Sequence, residues 1–178
     1  MKTINSVEIT EEHLNNKSYN FQPKLTKKLD SISSDFDQEI INQIVLWKVN
    51  RFAEIDEETF SLLNTIKKED KFLNESLTKQ ILEKLLSTKG IQLAMASTIL
   101  RFKNPKIYQI IDQRVYRFIY GENMPKYFSS IAFQIELYLE YLQKLKTVCQ
   151  EKLINFELSD SIIYELDKEV NKDKKINY

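Results

Sequence analysis

Residues 89–121 read KGIQLAMASTILRFKNPKIYQIIDQRVYRFIYG, and this stretch decides the fold. It opens on a short turn and runs into a nearly all-apolar helix over 93–102. It breaks at a loop carrying Pro105 and resumes as a second helix over 112–120, with Asp112 at its head. The chain's two glycines, Gly90 and Gly121, bracket it. A chain that avoids glycine elsewhere uses it where the backbone takes a conformation that other residues tolerate poorly.

On either side the pattern is helical. Phe36, Ile40, Ile41, Ile44, Val45 and Trp47 recur at helical spacing over 35–50. Further helices are expected over 56–68, 74–87, 126–149 and 159–171. Residues 1–30 are polar and weakly periodic, and 173–178 read as a frayed tail. The expectation is an all-α chain with one helical domain over 31–172, in which 88–121 carries the chemistry.

Composition narrows that chemistry. The 178 residues carry 26 Lys+Arg and 26 Asp+Glu, so no overall basic charge advertises a nucleic-acid binder, although a local basic face remains open. One cysteine, Cys149, and one histidine, His13, argue against cysteine–histidine metal sites and against a Ser-His-Asp triad. No metal or cofactor is expected. No window approaches the roughly 20 apolar residues of a membrane span, and the first residues lack a signal peptide's apolar run. A cytoplasmic protein without a membrane partner is the expectation. The chemistry is left to carboxylates, amines and backbone dipoles.

Two features of the segment suit such chemistry. A tight turn into a helix N-terminus presents backbone N–H groups that suit a phosphate, and Lys89 adds a cation. The same turn also serves as an ordinary helix–turn–helix corner, with Ala94, Ala96 and Ser97 permitting close approach of another helix. Asp112 follows two isoleucines, so it emerges from the core. It is suited to cap the next helix, and a sheltered carboxylate there can also act as a base or stabilise developing positive charge.

In order and spacing these residues resemble the helix-hairpin-helix DNA glycosylase superfamily, whose pattern runs L-P-G-V-G-x-x-x-A, an apolar helix, an apolar pair, Asp, then x-x-V-x-R. The counterparts are Leu86, Gly90-Ile91-Gln92, Ala96, the helix to Phe102, Pro105, Ile110-Ile111-Asp112, Val115 and Arg117, with 22 positions from Gly90 to Asp112. The match covers roughly a fifth of the chain.

The resemblance implies a helix-hairpin-helix fold and double-stranded DNA with a damaged or modified base as partner. It implies base excision (a hydrolase of DNA repair) by flipping that base and cleaving its glycosidic bond with Asp112. Lys89, Gly90, Ile91, Gln92, Leu93, Ala94 and Arg114 would meet DNA. Trp47, Lys48, Arg51, Arg101, Tyr108, Gln113 and Tyr116 would line or support the base pocket. Arg101 is expected to pair with a buried carboxylate, Asp112 among the choices, or to face DNA. Two departures stand out. Gln92 replaces the second hairpin glycine. Ala94 occupies the place of the lysine nucleophile of bifunctional members, so the implied enzyme is monofunctional. A non-catalytic DNA-binding protein of the same fold and a helical interaction module are the alternatives.

Overall fold

The computed structural model describes residues 21–49 and 53–174, and all their regular structure is helical. The chain divides into two compact units, Met1–Phe52 and Ala53–Tyr178. The division falls inside the range 31–172 expected as one domain.

The described part of the smaller unit is a helix pair, α1 (Pro23–Asp30) and α2 (Gln38–Lys48). Helix α1 lies within the stretch expected to be weakly ordered. Pro23 stands at its first turn, where a missing N–H costs no helical bond. Asp37 caps α2 by accepting the Ile40 amide at 2.8 Å. Trp47 joins the pair. Its indole N–H donates to Thr26 Oγ1 at 2.8 Å, its carbonyl accepts from Gln22 at 3.0 Å, and Phe21 meets its ring edge-on.

The larger unit contains α3 (Glu57–Thr65), α4 (Glu75–Ser87), α5 (Leu93–Lys103), α6 (Gln113–Tyr120), α7 (Ile131–Lys152), a 3-10 turn (Phe156–Leu158) and α8 (Ser159–Val170). Side-chain caps set several starts. Asp56, Asn74 and Asp112 head α3, α4 and α6. Helix α7 begins later than the expected 126 because Ser130 caps it, its hydroxyl accepting the Phe133 amide at 3.0 Å. Gly121 ends α6 at φ 75°, the left-handed geometry that favours glycine at a C-terminus.

Burial follows the helical period. On α4, Thr78, Ile81, Leu82 and Leu85 face inward at i, i+3, i+4 and i+7. They meet Leu93, Ala96 and Leu100 of α5 and Tyr138, Tyr141 and Leu145 of α7. Asn104, fully buried at the end of α5, donates to the carbonyls of Lys67 (2.6 Å) and Asp70 (3.0 Å) and accepts the Lys106 amide. It fastens the loop after α3 to the turn that leads towards Asp112, and it leaves none of its own polar atoms unpaired.

Candidate functional site

The corner between α4 and α5 is tight. The Thr88 amide returns to the Leu85 carbonyl, and the Ile91 amide donates to the Thr88 carbonyl at 3.1 Å. Gly90 sits between them at φ 90°. Gly90→Ala is therefore expected to cost about 1–2 kcal/mol, the penalty of left-handed backbone for an L-residue. A urea midpoint unchanged from wild type would refute that.

Burial alternates along the corner. Ile91 and Leu93 insert into the core, while Lys89, Gly90, Gln92 and Ala94 are exposed. A ligand at this corner meets the backbone of 90–94 and the side chains of Lys89, Gln92 and Ala94, with Leu93 available only through its amide and the Ile91 amide already engaged by the Thr88 carbonyl. Gln92 is the N-cap of α5 at φ −107°, ordinary extended backbone, so nothing in the turn demands a second glycine there. Its side chain makes no capping hydrogen bond, which leaves the first-turn amides of α5 without a side-chain acceptor from their own cap.

Asp112 lies beyond α5 at the end of an extended segment that has no helical hydrogen bonds of its own. Three side chains supply them. Tyr138 Oη donates to the Gln109 carbonyl at 3.0 Å, and Tyr141 Oη donates to the Ile110 carbonyl at 2.7 Å. Ser97 Oγ accepts the Ile111 amide at 3.2 Å. Burial, then the neighbouring Tyr138 phenol and the carboxylates of Asp160 and Asp112, hold Tyr141 well above the ordinary phenol range, so it stays a donor. Asp112 is partly exposed. Its Oδ1 accepts the Arg114 amide at 2.7 Å, and no described side chain or amide donates to Oδ2. One carboxylate oxygen thus caps α6 while the other is available to a ligand.

The remaining expected site residues part company here. Tyr108 is 1 % exposed and shares a 2.8 Å hydrogen bond with Thr78, so its ring belongs to the core and not to a pocket wall. Tyr116 stacks on Tyr120 with ring centroids 4.3 Å apart, one and two turns beyond Asp112 along α6. Burial, then the Tyr116 phenol and the Glu140 charge, push Tyr120 up to about 12. Gln113 is half-buried in the first turn of α6.

Arg114, expected at DNA, turns its guanidinium to Asp167 of α8, with Nη1 3.1 Å from Oδ2. Arg101 pairs loosely with Asp160, Nε to Oδ2 3.8 Å, and reaches the Glu157 carbonyl at 3.4 Å. Its partner carboxylate is therefore Asp160, not Asp112. Trp47 and Lys48 lie in the smaller unit, where the indole is engaged as described and Lys48 is exposed. Arg51 lies outside the described residues.

Asp167 had no sequence signal, since it sits in a mixed-charge run that reads as solvated surface. It is fully buried. It accepts Nε and Nη2 of Arg117 at 2.9 and 2.7 Å, Nη1 of Arg114, and Nδ2 of Asn171 at 2.9 Å. Burial alone would raise this carboxyl, but hydrogen bonds from Arg117, Asn171 and Arg114, with the Arg117 charge, outweigh it and hold Asp167 below its usual range. The hydroxyl roles of Tyr138 and Tyr141 were equally unreadable, because at that spacing they look like plain core packing.

Among the described residues, no group of three or more His, Cys, Asp or Glu side chains could hold a metal ion, and no helix is long and apolar enough to cross a membrane. Comparison with protein-family models, with curated proteins and with solved structures found no match. What stands is the class: an all-α chain with a tight helical hairpin followed by a capped, partly exposed carboxylate.

Proposed function

We propose that the chain is a monofunctional DNA base N-glycosylase. The observation that carries this reading is the link between hairpin and carboxylate. The helix that opens at the exposed corner also holds, through Ser97, the peptide leading into Asp112. A phosphate held at the corner and a sugar held at Asp112 would thus be registered by one rigid helix.

In this reading the amides at 90–94 other than that of Ile91, with Lys89, hold a backbone phosphate, which fixes register without reading sequence. The target nucleotide leaves the stack. As the glycosidic bond breaks, positive charge builds on the sugar. The free Oδ2 of Asp112 stabilises that charge or takes a proton from the attacking water. Ala94 offers no amine, so base loss leaves an intact abasic strand.

The test is incubation of the full chain with duplexes each carrying one modified base, followed by chromatography of released base and by gels before and after alkali. Release of free base with strand breaks only after alkali is the expected result. Gel shifts without release from any duplex would overturn it in favour of a DNA-binding protein that does not excise. Gln92 favours that second reading, because its side chain stands exposed on the corner where a glycine would allow closer approach to phosphate.

A further inference from the structure

The C=O of Ile110 and the N–H of Ile111 are the two edges of a single peptide plane. Tyr141 of α7 donates to one edge at 2.7 Å, and Ser97 of α5 accepts from the other at 3.2 Å. Ser97 is itself held, its hydroxyl donating to the Ala94 carbonyl at 2.8 Å. Both side chains are fully buried, as is Ile111. We propose that Tyr141 and Ser97 clamp the Ile110–Ile111 peptide and thereby set the direction of the Asp112 carboxylate, a positioning role that rests on the glycosylase reading.

The physical reason is that, among the described residues, no other hydrogen bond holds this peptide plane. Extended residues before a helix have two soft dihedrals each, and rotation of one peptide plane swings everything after it. Fixing both edges of the plane from two different helices removes that freedom one residue before the carboxylate. The Asp112 cap then leaves Oδ1 on the Arg114 amide and Oδ2 without a described donor. Tyr138 secures the preceding carbonyl, at Gln109, and so supports the same run from one turn away on α7. Misplacement of a reacting group by about 1 Å can cost roughly 100-fold in rate, so the clamp bears on chemistry more than on binding.

Two readouts test this in Tyr141→Phe and Ser97→Ala, with Thr78→Val as the control that breaks an equally buried hydroxyl contact, made to Tyr108 and not to the Ile110–Ile111 peptide. The first is hydrogen exchange of the Arg114 amide relative to the Tyr116 amide, which donates to the Asp112 backbone carbonyl. Exchange at Arg114 should rise about tenfold or more in the two clamp variants and stay unchanged in Thr78→Val. The second is single-turnover base release, expected to slow roughly 10–100-fold with duplex Kd unchanged. The double variant should be little slower than the worse single one, since either loss frees the same plane. Equal Arg114 exchange in all three variants and wild type, or an equal rise in all three variants, would overturn the clamp. So would a rate that falls only through weaker duplex binding. If the wild type releases no base at all, the glycosylase reading falls, and the exchange result alone judges the clamp.

Discussion

Replacing Asp167 with alanine is expected to cost the larger unit about 3–5 kcal/mol, the usual consequence of leaving buried charge without its partner. Two guanidiniums converge on this carboxylate. Arg117 approaches as a two-pronged fork and is 9 % exposed, whereas Arg114 makes a single contact and is 24 % exposed. The Arg117 fork carries more of the loss, because the less exposed cation has less water to turn to. Arg114→Ala should therefore cost distinctly less than Arg117→Ala. Urea unfolding of the three variants at pH 7 checks the order. A loss below about 1 kcal/mol for Asp167→Ala would place the pair among surface ion pairs and refute the argument.

The pH dependence has a definite sign. The folded carboxyl of Asp167 is held below the unfolded value near 3.8. Its stabilisation is fully present above that value and disappears as the pH falls through the lower folded one. The stability gap between wild type and Asp167→Asn should thus be constant from neutrality to about pH 5 and close only in stronger acid. A gap that narrows already between pH 7 and pH 5 would point to another group.

Asp167 also shows which parts of the molecule are legible from sequence. The helices over 74–87 and 93–102 and the cap at Asp112 are readable because each depends on near neighbours: a cap two or three residues from its amide, apolar residues one turn apart. The α4 helix begins at Glu75, one residue past the expected start at 74, because Asn74 caps it. The Asp167 clamp depends on residues 50 and 53 positions away, and nothing local separates it from the charged face around it. Arg114 misleads for the same cause. Two residues past a carboxylate it reads as a ligand contact, and only the packing of α6 on α8 commits it to structure. Tyr108 beside Asp112 similarly reads as a pocket wall, yet the Thr78 hydroxyl on α4 draws it into the core. The Ser97 contact had half a signal. A small residue on α5 was expected where elements approach closely, and its hydroxyl turned out to be used by the approaching strand of chain.

Replacing Asp112 with asparagine should separate rate from stability as cleanly as Asp167→Ala joins structure to charge. Asparagine caps a helix about as well as aspartate, and its Oδ1 can still accept the Arg114 amide, so unfolding free energy should move by less than about 1 kcal/mol. What vanishes is the negative charge. A carboxylate about 4 Å from a developing oxocarbenium, at an effective dielectric near 20, contributes about 4 kcal/mol. At about 1.4 kcal/mol per decade that is roughly 10³ in the rate of base release. Duplex affinity should change little, because phosphate contacts at 90–94 dominate it. Single-turnover release, duplex titration and urea unfolding, run side by side on wild type and Asp112→Asn, measure the three quantities. Release within tenfold of wild type would remove Asp112 from the chemistry. A comparable loss of stability would mean that the cap, not the charge, is what this aspartate supplies. The expected pattern, rate lost with fold and affinity kept, belongs to a group that acts only as the glycosidic bond breaks.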